Sequence, residues 1–215
     1  MNASTLSRFF RRAPLFAAVF GVIATSAYAQ NPQEEAGHQH NVYLDCLRKV
    51  DPAMERNPFE TLIRQCGFDP QGDAGEFIRV NTELMPRDLL QPVAVILEPH
   101  RERFTDEQYS YLLRMEEVLS TARSVDDARR GLEALEAEAV ERLAGERGNE
   151  GILGALSISR YSLEYWVGSG EVFKAKAKWW QIVIADAVGG AVGSLGGPAG
   201  VVGLGAACSG AVAAN

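Results

Sequence analysis

Apolar positions recur at three- and four-residue spacing through most of this chain, the period of helices that bury one face. The clearest run starts at Thr105. That residue is placed to cap a helix, with Asp106 and Glu107 in the first turn, where the helix dipole favours negative charge. Tyr109, Leu112, Leu113, Val118 and Leu119 supply its apolar face. Ser124 caps the next helix, with Asp127 three residues on. Val125, Ala128, Leu132, Leu135 and Ala139 make a coiled-coil-like seam, and glutamates and arginines cover the other faces as a solvated surface. The two helices should pair antiparallel through a short turn near Arg123. Gly145, Gly148 and Gly151 then break the chain, and a third long helix is predicted over 152–167, with Ile152, Leu156, Ser159, Leu163 and Trp166 on one side.

Upstream, Val42 to Phe68 reads as two short helices turned by Asp51-Pro52 and Asn57-Pro58. Residues 69–103 are expected to be irregular, because glycines and prolines interrupt them repeatedly. Val93 to Leu97 is an extended or helical piece packed on the core. Residues 30–41 are polar and expected to be flexible.

The carboxyl end differs from everything before it. From Trp179 to Asn215 the only charge is Asp186, and glycine recurs at Gly189, Gly193 and Gly197 and again at Gly196 and Gly200. Glycine disfavours a helix interior by about 1 kcal/mol relative to alanine. Glycines in four-residue register point to close helix–helix approach. Pro198 divides the run into two legs of about 16 residues, each roughly 25 Å as helix. Lys174, Lys176 and Lys178 followed by Trp179-Trp180 read equally as an interfacial belt or as a core anchor. Three readings of this hairpin stay open: it inserts or assembles at a membrane with Asp186 turned inward; it packs on the other helices or self-associates in water; or it is a poorly ordered tail.

The first residues have the layout of a secretory signal peptide. Arg8, Arg11 and Arg12 precede an apolar core from Pro14 to about Ile23, and Ala27-Tyr28-Ala29 is a small-x-small cleavage site. Loss of those three arginines takes the formal charge from −7 to −10. An acidic mature chain argues against a nucleic-acid partner. Export places the cysteines in an oxidising compartment. Cys46 and Cys66 suit a disulfide across the first helical hairpin, worth roughly 3 kcal/mol for a loop of that size. Cys208 is left over, as a small buried apolar residue or an intermolecular link.

Chemistry-bearing groups are sparse. His38 and His40 have no further ligand nearby, so no metal site is expected. Ser157, Ser159 and Ser162 have no adjacent base, and His100 stands in no catalytic context. No catalytic residue, cofactor or small-molecule substrate is identified, although a secreted hydrolase with an unrecognised acidic site stays open.

At SLEYW, Ser162 to Trp166, and KWWQIVIADAVGGAVG, Lys178 to Gly193, the chain resembles a group of bacterial exported proteins of unknown function. These carry a helical body and a glycine-rich C-terminal segment similar to those of class II bacteriocins. The resemblance spans roughly Gly151 to the end and implies a secreted, membrane-active glycine-zipper protein. This chain is longer than such peptides, acidic rather than cationic, and has a conventional signal.

The expectation is an all-α protein, a small helical bundle with a C-terminal Gly/Ala-rich helical hairpin. Its parts are a signal peptide (1–29), a flexible N-terminus (30–41), a helical body (42–170) and a glycine-zipper hairpin (171–215). The leading expectation is a non-enzymatic protein, periplasmic or extracellular, whose hairpin associates with a membrane or with itself through Trp179, Trp180, Asp186, Gly189, Gly193, Gly197 and Gly200. The alternative is a soluble helical binding module whose Gly-rich tail packs on the core.

Overall fold

The computed structural model describes residues 30–169 and 178–214. The expected signal peptide, Lys174 and Lys176 lie outside them. The described chain forms nine α-helices and no strand. In order they are α1 (Glu34–Val50), α2 (Pro58–Gln65), α3 (Ala74–Leu84), α4 (Val93–Leu97), α5 (Asp106–Thr121), α6 (Val125–Leu143), α7 (Glu150–Ser169), α8 (Trp179–Gly193) and α9 (Pro198–Ala214). Short 3-10 turns follow α4 (Glu98–Arg103) and α8 (Ser194–Gly196).

The caps sit where the residue types place them. Thr105 and Gln108 form a reciprocal capping box, with Gln108 N to Thr105 Oγ1 at 3.1 Å and Thr105 N to Gln108 Oε1 at 2.9 Å. Ser124 accepts from Asp127 N at 3.1 Å, and Asn57 accepts from Phe59 N and Glu60 N ahead of Pro58. Helices α5 and α6 run antiparallel. Glu107 meets Arg142, Arg114 meets Glu138, and Val118 packs where a Gly131 side chain would stand. The buried face of α5 is turned from the expected one. Tyr111, Leu112, Met115 and Leu119 are buried, whereas Tyr109, Leu113 and Val118 are half-buried. Tyr111 can take the inner position because its hydroxyl meets Glu138 at the rim, 3.3 Å away.

Two stretches are more ordered than their composition suggests. Residues 30–41 are not a loose end: α1 begins at Glu34. The side chain of Asn31 donates to Glu136 Oε1 at 2.6 Å and to the Leu153 carbonyl at 2.9 Å, and accepts from Gln33 N. Gly37 lets α1 lie against Ser157 and Tyr161, where a β-carbon would stand 2.5 Å from the tyrosine ring. Residues 69–103 hold α3, capped by Asp73, and α4, started by Pro92. Their breakers mark helix ends, and Phe77, Val93, Ile96 and Leu97 between them are buried.

Helices α8 and α9 fill the middle of the bundle. Helix α7 packs along α8, α1 touches both α7 and α9, and α6 and then α5 continue outward from α7. Helices α2 and α3 reach α9, while α4 and α5 reach α8. Every residue from Ile182 to Gly193 and from Gly200 to Gly210 is buried. The two legs run antiparallel and touch through backbone. A β-carbon on Gly193 would collide with the Gly200 carbonyl, and one on Gly200 with the Gly193 carbonyl. A β-carbon on Gly189 would lie 2.8 Å from Cys208 Sγ.

The Cys46–Cys66 disulfide joins α1 to the end of α2 across a separation of 20 residues. Replacing both cysteines with serine should lower stability by roughly 3 kcal/mol on chain-entropy grounds, read as a shifted urea midpoint. Gly193→Leu should be far more damaging, at least about 3 kcal/mol, because the obstacle is main chain that cannot step aside. Gly168→Ala, which meets nothing within 4 Å, should leave stability unchanged or raise it by up to about 1 kcal/mol. Equal unfolding midpoints for the two glycine variants would contradict this packing.

Candidate functional site

The expected hairpin residues divide by position. Gly189, Gly193 and Gly200 lie at the α8–α9 contact. Gly197 does not; it makes the turn at φ 111°, a conformation that favours glycine. Gly203 packs on the ring of Phe77 in α3, and Gly190 faces both Ile158 of α7 and the Val201 carbonyl of α9, so these glycines also bring neighbouring helices close. Trp179 and Trp180 are half-buried against the core, and Lys178 Nζ stands 5.7 Å from the Trp180 ring centroid. Among the described residues no helix is long and apolar enough to cross a membrane.

Asp186 of α8 is wholly buried, and three other helices converge on it. From α7, Ser162 Oγ donates to its Oδ2, as does Trp166 Nε1 at 3.3 Å. From α1, His40 Nε2 stands 3.8 Å from the same oxygen. From α9, Ser209 faces the carboxylate without a hydrogen bond of ordinary geometry, and Cys208 lies close by. Both His40 and Asp186 have fully buried side chains. Burial pushes the Asp186 carboxyl above the usual range, against the opposing pull of His40, Ser162, Ser209 and Trp166. Burial, and then Asp186, pushes the Cys208 thiol well above its ordinary value. Cys208 is unbonded and enclosed, which suits a small core residue; an intermolecular bridge would require this core to open.

This node contains serine, histidine and aspartate, but its order is not that of a hydrolase. The serine bonds the carboxylate directly, and all three side chains are sealed from solvent. His38 is exposed, 3.5 Å from Glu35, and no cluster among the described residues could hold a metal ion.

A second feature, with no counterpart in the local sequence pattern, lies at the surface. Helices α1, α6 and α7 enclose an open cavity of about 500 Å³, lined by Asn31, Glu34, Glu133, Ala137, Val140 and Arg160 among others. Its base is an ion-pair bridge. Arg160 bonds Glu34 at 2.5 Å and Glu136 at 2.9 Å, and the Tyr161 hydroxyl reaches Glu34 at 2.7 Å. Burial opposes the charge on Arg160, but the two carboxylates outweigh it and raise its pKa further. Glu34 is held below the usual carboxylate range: burial works against this, and Arg160 and Tyr161 prevail. Arg160 is 126 residues from Glu34 and 24 from Glu136, so no local spacing could reveal the bridge.

No protein-family model, curated protein or solved structure matches this chain.

Arg160→Ala should strand Glu136 in a largely buried position. Removing one partner of such a pair costs about 3–5 kcal/mol. Arg160→Met together with Glu136→Gln should recover much of the loss. A single variant as stable as the parent in thermal unfolding would show the bridge to be dispensable.

Proposed function

We propose that this is an exported, non-enzymatic helical binding module whose glycine-rich hairpin is its folding core, with the cavity between α1, α6 and α7 as its binding surface. One observation carries this reading: the tail has no free face. The unbroken burial of residues 182–193 and 200–210 leaves the glycine-lined length of the hairpin nothing to offer a partner while the bundle is closed. The cavity, by contrast, combines an apolar wall of Ala134, Ala137 and Val140 with charges fixed by mutual bonding, a combination common to ligand sites. The Cys46–Cys66 disulfide supports an oxidising location outside the cytoplasm.

A second reading has its own support. Both legs are apolar all round, a pattern shared by central core helices and membrane spans. In this reading the bundle shields the hairpin until it opens at a membrane or in self-assembly, with Trp179 and Trp180 at the interface and the glycines as the assembly seam.

Vesicle flotation and truncation separate the two. The binding-module reading expects the mature protein to stay monomeric by light scattering and to remain with the soluble fraction when mixed with phosphatidylcholine–phosphatidylglycerol vesicles. It also expects a chain ending at Lys178 to lose cooperative unfolding. Flotation of the intact protein, or a truncated body that melts like the parent, would favour the hairpin as an appendage acting at membranes.

A further inference from the structure

The arrangement around Asp186 fixes more than its hydrogen bonds. Asn41 Nδ2 donates to the Tyr161 carbonyl at 2.9 Å, which leaves Asn41 Oδ1 as the acceptor facing His40 Nδ1 at 3.0 Å. His40 Nδ1 therefore carries a hydrogen whatever the charge on the ring. Its other nitrogen, Nε2, points toward Asp186 and has no hydrogen-bond partner, and Asp186 Oδ1 has none either. Asp186 Oδ2 already accepts from Ser162 and Trp166.

One proton beyond that on Nδ1 makes this pair neutral in either of two arrangements. On Nε2 it gives an imidazolium facing a carboxylate. On Asp186 it belongs on Oδ1, since Oδ2 serves two donors, and a neutral acid then faces a neutral ring. With no such proton a bare negative charge is left in the core; with two, a bare positive charge. Both are expensive in a sealed interior. The other groups around the carboxyl do not compensate. Ser162 and Trp166 on α7 and Ser209 on α9 are uncharged, and Cys208 on α9 keeps its thiol proton. Arg48 of α1 lies over the Trp166 ring, 4.7 Å from its centroid, and donates to the Tyr165 hydroxyl at 3.2 Å.

We propose that His40 and Asp186 share a single proton and act as a charge-neutral clasp that seats α8 among α1, α7 and α9, and that the clasp weakens as pH rises above the ordinary histidine range. The sign follows from proton counting. In the unfolded chain an aspartate titrates near 3.9 and a histidine near 6.5. The unfolded pair therefore holds one such proton only between roughly pH 4 and 6.5, and none above. The folded pair keeps its proton, so folding takes one up at higher pH, and stability falls as pH rises. The burial that raises the Asp186 carboxyl acts in the same sense. Below about pH 4 the unfolded pair holds two protons, and stability falls again toward acid.

Urea unfolding of the disulfide-intact mature protein between pH 6.5 and 8.5 tests the clasp against Asp186→Asn and His40→Gln. The parent's folding equilibrium constant should fall by up to about tenfold per pH unit relative to Asp186→Asn, which keeps an acceptor for Ser162 and Trp166 and has no proton to hold. His38 and His100 are common to all three chains, so the difference in slope isolates the pair. Equal slopes in the parent and Asp186→Asn overturn the proposal. Should neither variant fold, NMR of the native protein decides. His40 Nδ1 should remain protonated from pH 5 to 8, and the Asp186 carboxyl carbon and His40 ring nitrogens should shift together or not at all. A bare Nδ1, or an Asp186 signal that titrates alone, overturns it.

Discussion

Backbone contact between Gly193 and Gly200 is the constraint on which the rest of the bundle depends. Two helices whose side chains interdigitate usually keep their axes 8–10 Å apart. Here the main chains themselves meet, with no room for a β-carbon on either side. That closeness makes the hairpin thin enough for α1, α2, α3, α4, α5 and α7 to reach one leg or the other. The remaining glycines extend the same logic outward. Gly190 admits Ile158, Gly203 admits Phe77, and Gly205 lets α9 approach both the Asp186 carbonyl and the His40 ring. Dispersion attraction between the closely seated helices replaces the side-chain burial that glycine itself lacks.

Local signals carry most of the helix assignment. Thr105 with Gln108, Ser124 with Asp127, and Pro198 after Gly197 are short-range devices that act within a turn or two, and their outcomes match their residue types. The spacing of Cys46 and Cys66 across two proline-turned helices is likewise legible. Polar composition misleads at residues 30–41. Nothing near Asn31 announces that its partners are Glu136 and Leu153, more than a hundred positions away. The α5 face departs from its apolar pattern for a related reason. Tyr111 and Met115 turn inward because Glu138 and Arg114 provide a polar rim contributed partly by another helix. In sequence His40 resembles half of an empty metal pair, yet it is a core residue; only the fold brings it to Asp186.

A lone charge in an apolar run marks Asp186 as a group that must turn inward, and inward is where it lies, but its meaning depends on what surrounds it. A single carboxylate in such a hairpin is a liability in lipid and in a protein core alike. Ser162, Trp166, His40 and Ser209 convert it into a register mark. Sliding α8 by one residue along α7 would leave two donors and an acid without their partners, a loss of about 1–3 kcal/mol for each stranded group. Leucine or valine contacts in the same interface have no comparable directionality, and glycine-lined surfaces slide more easily still. A featureless hairpin therefore gains a single seating from one polar side chain, a role that buried polar groups also play in fixing coiled-coil register.

The helix that connects these devices is α1. Asn31, just before it, closes on α6 and α7; Gly37 sits on α7; His40 reaches Asp186; and Cys46 binds it to α2. Most of its partners lie more than a hundred residues downstream, so α1 cannot find its place until α7, α8 and α9 exist. Long-range closures of this kind are slow, because chain entropy is lost before the contacts form. The α5–α6 hairpin, by contrast, has caps, antiparallel ion pairs and a three-residue turn, all local. It is the natural element to form early, with α7 added against α6 and the glycine hairpin laid against α7. Helix α1 closes over the assembly and supplies the histidine that faces the buried acid of the hairpin. The polar clasp thus completes a core whose shape the glycines have already set.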